Sequence, residues 1–201
     1  MPSQYFEAEP TVGSAPATYS VALPDTSFTV RTDRGVFSHG ALDLGSRLLL
    51  LEAPPPAAAG DALDLGCGAG PIALALARRS PGATVWAIDV NERARALCTA
   101  NAHDNGLTNL RVCAPGEVPE EVAFATIWSN PPIRIGKAAL HELLHRWLPR
   151  LAPGGEAVLV VQKHLGADSL ARWLQDTEGF AVERFRSRAG YRLLRVTRPT
   201  G

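Results

Sequence analysis

Asp61-Ala62-Leu63-Asp64-Leu65-Gly66-Cys67-Gly68-Ala69-Gly70 decides the fold of this 201-residue chain. A short apolar run ends in three glycines at alternate positions. Pro71 then opens the apolar segment Ile72-Ala73-Leu74-Ala75-Leu76-Ala77. The pattern reads as a buried strand, a turn without side chains, and a helix with proline at its first position. Glycine permits positive φ and lets a ligand approach the main chain closely. The free N–H groups at the helix start suit polar or anionic groups. A nucleotide-like cofactor lying over this turn is the first expectation.

The dinucleotide fingerprint G-x-G-x-x-G/A also follows a strand, with an acid about 20 residues on. Here Pro71 occupies the third fingerprint position and forfeits the close helix–strand contact that glycine serves. Asp64 stands two residues before Gly66, where a carboxylate repels a pyrophosphate and suits a cationic amino group. Thr84-Val85-Trp86-Ala87-Ile88-Asp89 is an alternating strand ending in an acid, with Val90 next. An acid at that place accepts from ribose hydroxyls, for a nucleoside or for NAD alike. The plainer alternative is a glycine turn that only joins strand to helix.

Outward from the turn, strand and helix patterns alternate. Strands are expected at Ala62–Leu65, Thr84–Asp89, Leu110–Ala114, Phe124–Ser129 and Glu156–Gln162. Helices are expected at Pro71–Arg79, Glu92–Asn105, Lys137–Leu148 and Asp168–Asp176, with Gly154-Gly155 turning the chain into a strand. Such alternation predicts a parallel sheet covered on both faces. Ala181–Arg186 and Tyr191–Arg198, flanking Ser187 to Gly190, read as an antiparallel hairpin. Before the turn, Tyr19–Leu23 and Ser27–Arg31 form a second hairpin, and Leu42–Glu52 carries a helical stripe. Residues 1–34 are thus an extension with a hairpin, and residues 35–201 the main domain. Met1 to Pro16 is rich in proline and small residues and is expected to be loosely held, with Tyr5-Phe6 available to pin it.

Composition bounds the partners. Basic and acidic residues balance at 20 each, but residues 1–130 hold 8 basic and 14 acidic side chains, and residues 131–201 hold 12 and 6. A basic C-terminal part suits phosphates, while overall neutrality disfavours nonspecific nucleic-acid binding. Three cysteines, Cys67, Cys98 and Cys113, lack metal-ligand spacing and read as reduced thiols of a cytoplasmic protein. No signal peptide, membrane span or metal site is expected. His141 and His145 are four apart on a helix, but no third ligand is evident. Trp128, Trp147 and Trp173 are expected in the core.

A second motif, Ile127-Trp128-Ser129-Asn130-Pro131-Pro132-Ile133, ends the fourth core strand. In an open α/β sheet, ligands bind beyond the carboxyl ends of the strands. Two prolines fix φ and remove two N–H donors. What remains is an acceptor-rich edge: the Asn130 side-chain oxygen and the Pro131 carbonyl. Two rigid acceptors grip both hydrogens of an exocyclic NH₂ and leave its lone pair directed at a third position. That is positioning and electrostatics rather than base catalysis.

The Asp-x-Gly-x-Gly-x-Gly pattern resembles the first motif of class I S-adenosylmethionine-dependent methyltransferases. The second resembles the N/D-P-P-aromatic motif of methyltransferases acting on amino groups, with Ile133 in the aromatic position. Further matches are Thr32–Ser38, Asp43–Leu49, Asn130–Lys137, Leu151–Gly155 and Val161–Ala167. With these, the chain resembles the ribosomal RNA small-subunit methyltransferase C family, as a short single-domain member, from about Tyr19 onward. The resemblance implies a Rossmann-like α/β fold: a doubly wound, mostly parallel seven-stranded sheet with a C-terminal antiparallel hairpin.

It also implies transfer of a methyl group to guanine N2 in small-subunit rRNA, with Asn130, Pro131, Pro132 and Ile133 at the reacting amine. Asp64, Gly66, Cys67, Gly68, Gly70, Asp89, Val90, Ser46 and Asn130 would face S-adenosylmethionine. Phe37, Arg134, Lys137, Gln162 and Lys163 would face the substrate, and Asp43 belongs to the same rim as Ser46 and Phe37. The partner would be ribosomal RNA or the small ribosomal subunit, and the protein a monomer or homodimer. There are departures. The acid usual after the third strand is replaced by Ala114-Pro115-Gly116-Glu117, and the family's Phe-Asp is Phe124-Ala125. Two alternatives stay open: methylation of a glutamine side chain or small-molecule amine, and a non-catalytic binding module that keeps the fold.

Overall fold

A computed structural model describes residues 12–132 and 135–198; Tyr5, Phe6, Ile133 and Arg134 lie outside the described residues. Seven strands make one sheet: β3 (Ala59–Leu65), β4 (Gly82–Ile88), β5 (Leu110–Cys113), β6 (Phe124–Ser129), β7 (Leu151–Gln162), β8 (Ala181–Arg188) and β9 (Tyr191–Thr197). Their order is β5-β4-β3-β6-β7-β9-β8. The first five are parallel to one another, and β9 runs antiparallel to both β7 and β8. The helices are α1 (Leu44–Glu52), α2 (Pro71–Arg79), α3 (Glu92–Asp104), α4 (Lys137–Trp147) and α5 (Ala167–Asp176).

Successive strand residues point to opposite faces, so nearly continuous apolar strands fill two cores. Ala62, Val85, Trp128 and Val158 join Leu49, Leu74 and Cys98 on one face. Their immediate neighbours Leu63, Trp86, Ile127 and Leu159 join Leu144, Trp147 and Leu170 on the other. Each leucine buried in this way contributes about 1.5–3 kcal/mol. Trp128 and Trp147 are fully buried. Trp173 is instead half-buried and stacks on the His141 ring at 3.6 Å, and His145 meets Glu178 at 2.8 Å.

β1 (Ala17–Ala22) and β2 (Ser27–Thr32) form the separate antiparallel hairpin. Its free edge is satisfied by side chains of α3 and of its C-cap, Asn105. Asn101 accepts from Arg31 N–H and donates to Arg31 O and to Ala69 O in the glycine turn, each at 2.8 Å. Asn105 does the same for Thr29, at 3.3 and 2.8 Å.

Two boundaries differ from the sequence expectation for a physical reason. β7 begins at Leu151, so Gly154-Gly155 lies inside the strand, where the register against β6 slips between Phe124 and Thr126. A Cβ on Gly155 would sit 2.7 Å from Phe124 O, so the pair marks close backbone approach at a bulge. The C-terminal hairpin turns on Ala189-Gly190 alone, both at positive φ, the conformation that matches strand twist. Among the described residues no helix is long and apolar enough to cross a membrane.

The chain runs from β3 outward through β4 and β5, then returns to β6 on the other side of β3. This reversal opens a crevice at the carboxyl ends of β3 and β6. Asp64 pairs with Trp128 in register, which brings Gly66 and Asn130 to adjacent strand tips.

Candidate functional site

A cavity of about 610 Å³ opens at this crevice. Gly66, Gly68, Asp89, Val90 and Pro115 line one part, and Asn130, Pro131 and Pro132 another. Gly66 (φ +81) and Gly68 (φ +54) present bare backbone to it. The turn is held from behind, with the N–H groups of Gly66 and Cys67 both donating to Ile88 O at 3.0 Å. Asp89 is clamped between two backbone donors, Gly68 N–H and Asn91 N–H, each at 2.9 Å. Burial nonetheless raises its carboxyl above the ordinary range.

Four predicted cofactor residues lie behind this wall rather than on it. Gly70 sits at φ +93, and a Cβ there would meet Cys98 Sγ at 2.5 Å. The third glycine therefore serves packing of α2 on α3, which Pro71 alone seemed to give up. Cys67 is buried under the turn. Asp64 is fully buried on the α2 side, where one oxygen accepts from Ala73 N–H at 2.8 Å and the other has no partner. Burial, against the lowering effect of the Ala73 N–H and with the negative Asp89 adding to it, pushes its pKa to about 8. Ser46 is buried at the start of α1 and touches Asn130 instead. Where the acid usual after the third strand is missing, Pro115 is on the wall, and Glu117 turns back to accept from Ala114 N–H at 2.6 Å.

The acceptor edge has a defined polarity. Ser129 Oγ donates to Leu65 O at 2.6 Å and ties the two strand tips together. Asn130 Nδ2 donates to Asp43 Oδ2 at 2.8 Å and to Ser46 Oγ at 3.1 Å. Asp43 is the N-cap of α1 and also accepts from Gly45 N–H at 2.8 Å and Ser46 N–H at 2.9 Å. Both amide hydrogens are spent on these partners, so the Asn130 oxygen is left for a ligand. The Pro132 carbonyl accepts from Ile135 N–H at 3.1 Å.

The rest of the wall is apolar. Phe37, Leu44, Val90 and Leu165 are four of the five exposed large apolar side chains among the described residues, and all four face this cavity. Gln162 lies on the wall and donates to the Tyr191 hydroxyl at 2.8 Å. Lys137 and Lys163 are exposed outside the lining. Sequence reasoning missed Leu44, Leu143, Leu165 and Tyr191. Tyr191 carries no local signal, since it reaches the site only because β9 returns beside β7 and sets it opposite Gln162.

These residues fit S-adenosylmethionine. The side-chain-free turn allows close approach, Asp89 supplies the acid, and Asp64 keeps one buried oxygen unpartnered beneath the turn. The family model for the methyltransferase small domain matches residues 27–195. An uncharacterised protein of Bacillus subtilis is 40% identical over 179 residues, covering 88% of this chain and 89% of the relative. A ribosomal RNA small subunit methyltransferase C of Pseudomonas aeruginosa is 37% identical over 191 residues, covering 87% of this chain and 56% of the relative.

Among solved structures, a 16S rRNA N2 methyltransferase of T. thermophilus in complex with AdoMet and guanosine superposes with a TM-score of 0.75 at 29% identity. It is covered over 52% of its length and covers 94% of this chain. A methyltransferase from Pyrococcus furiosus, 22% identical with a TM-score of 0.61, shares the fold. The chain thus spans about half the length of its rRNA methyltransferase relatives. It belongs to the methyltransferase small domain family, S-adenosylmethionine-dependent enzymes of the class I fold.

Proposed function

We propose that the chain methylates the exocyclic N2 amine of a guanine in small-subunit ribosomal RNA. The observation that carries this reading is the polarity of Asn130: its amide nitrogen is committed to Asp43 and Ser46, and its oxygen is left for a donor. The P. aeruginosa and T. thermophilus relatives support the substrate class.

S-adenosylmethionine, when bound, supplies an electrophilic methyl group on a sulfonium. Gly66, Gly68 and Asp89 would hold it, with Asp64 beneath the turn. The Asn130 oxygen and the Pro131 carbonyl take the two N2 hydrogens of the base. Their grip draws the nitrogen lone pair out of the ring and fixes its direction, and holding reactants in line is the larger part of such a rate gain. Neither acceptor is basic near neutral pH, and the Asp43 carboxylate is already occupied by three donors. The surplus proton therefore leaves to water after transfer. The apolar wall of Phe37, Leu44 and Leu165 suits an unstacked base, since a guanine within a duplex cannot reach Asn130.

The test is transfer of a labelled methyl to small subunits, bare rRNA and free guanosine, with the product nucleoside identified. Transfer to guanine N2 is expected. Asn130→Ala should lower kcat by about 10²–10³-fold at unchanged cofactor affinity. Full turnover in that variant, or label on another atom, would reject the reading.

A further inference from the structure

We infer that Asp43 is the positioning residue that decides which end of the Asn130 amide faces the substrate amine. This rests on the role of Asn130 given above. The two ends of an amide have nearly the same shape, and a half-turn exchanges an acceptor for two donors. With nitrogen toward the cavity, Asn130 would repel the amine it is meant to grip. Ser46 Oγ, at 3.1 Å, does not decide the matter, because a hydroxyl both donates and accepts. A carboxylate accepts only. The Asp43 oxygen at 2.8 Å therefore requires the amide nitrogen on its side and sends the oxygen into the cavity.

The acid does more than cap α1. An N-cap needs one oxygen for the second or third N–H of the helix, and serine, asparagine and aspartate serve about equally. Gly45 N–H and Ser46 N–H each bind a different oxygen of Asp43, which holds the carboxylate in a fixed plane. Asn130 shares the oxygen that Ser46 N–H uses. The start of α1 is thereby the jig that orients a side chain just past the end of β6, 87 residues further along the chain.

Two variants separate positioning from capping. Asp43→Ser keeps a helix cap but is too short to reach Asn130. Its kcat should fall by about 10- to 100-fold with cofactor affinity and melting temperature nearly unchanged. Asn130→Asp sets two carboxylates face to face, and Asp43→Asn in that background restores one donor and one acceptor across the contact. The double variant D43N/N130D should exceed N130D in kcat by about tenfold or more. A purely capping Asp43 predicts no loss in Asp43→Ser and no recovery in the double variant, and either result overturns the inference.

The Asn130 side-chain amide protons give a second readout, by nitrogen-15 NMR, that needs no turnover. They should be protected from exchange in the unaltered protein and lose protection in Asp43→Ser; unchanged protection overturns the inference. If the unaltered protein transfers no methyl, the function proposed above fails, and this readout still decides the role of Asp43.

Discussion

Replacing Gly70 by alanine tests the packing beneath the cofactor turn without reference to any activity. Gly70 precedes α2 at φ +93, where an L side chain is strained by about 1–2 kcal/mol. The added Cβ would lie 2.5 Å from Cys98 Sγ and 3.3 Å from Cys98 Cβ. Cys98 is fully buried on α3 and has no open side to move into, and overpacking of this kind costs about 1–3 kcal/mol. Gly70→Ala should therefore destabilise the protein by about 2–5 kcal/mol. Cys98→Ala removes the nearest atom and leaves the backbone strain. In that background the same substitution should cost only about 1–2 kcal/mol, a coupling of about 1–3 kcal/mol. Urea denaturation of the four proteins of the cycle, followed by circular dichroism, measures both. An alanine tolerated within about 1 kcal/mol of the parent, or equal costs in both backgrounds, would refute the reasoning.

Three further outcomes follow from the structure. Asp64 carries a pKa raised to about 8, so its protonated form is favoured on folding; stability should decline as pH rises from about 4 to about 8, and Asp64→Asn should flatten that decline. Asn101→Ala removes three hydrogen bonds that join β2, α3 and the glycine turn. It should cost about 2–4 kcal/mol and speed hydrogen exchange in β1 and β2; unchanged exchange there would count against it. Tyr191→Phe breaks the contact with Gln162 and should raise the KM for the substrate by about 2- to 12-fold, leaving cofactor affinity unaltered.

The alternation from Asp61 onward made the fold legible, because a parallel sheet needs apolar strands and crossover helices, and both leave periodic traces. The tips of β3 and β6 were legible for the same reason: glycines and prolines constrain the backbone locally. What stayed hidden depends on distant partners. The bulge at Gly154-Gly155 is set first by the carbonyl of Phe124, which lies 2.7 Å from the missing Cβ of Gly155, nearer than the local Ala152 carbonyl at 3.0 Å. Ser46 reads as a rim residue until the start of α1 is seen holding the Asn130 amide. Gly70 looks like a ligand contact until Cys98 is placed beside it. In each case the deciding neighbour is far away in sequence.

The seating of Tyr191 has a consequence for the order of assembly. Its ring lies against α1, close enough that a Cβ on Gly45 would come within 2.8 Å of it. A growing polypeptide therefore acquires the glycine turn and Asn130 long before the last panel of the enclosure exists. Until β9 docks between β7 and β8, the Leu44 side stands open to water, and the reactive parts lack their shelter. Nascent chains arrested at increasing lengths and probed by protease should gain protection of α1 only once residue 191 has cleared the exit.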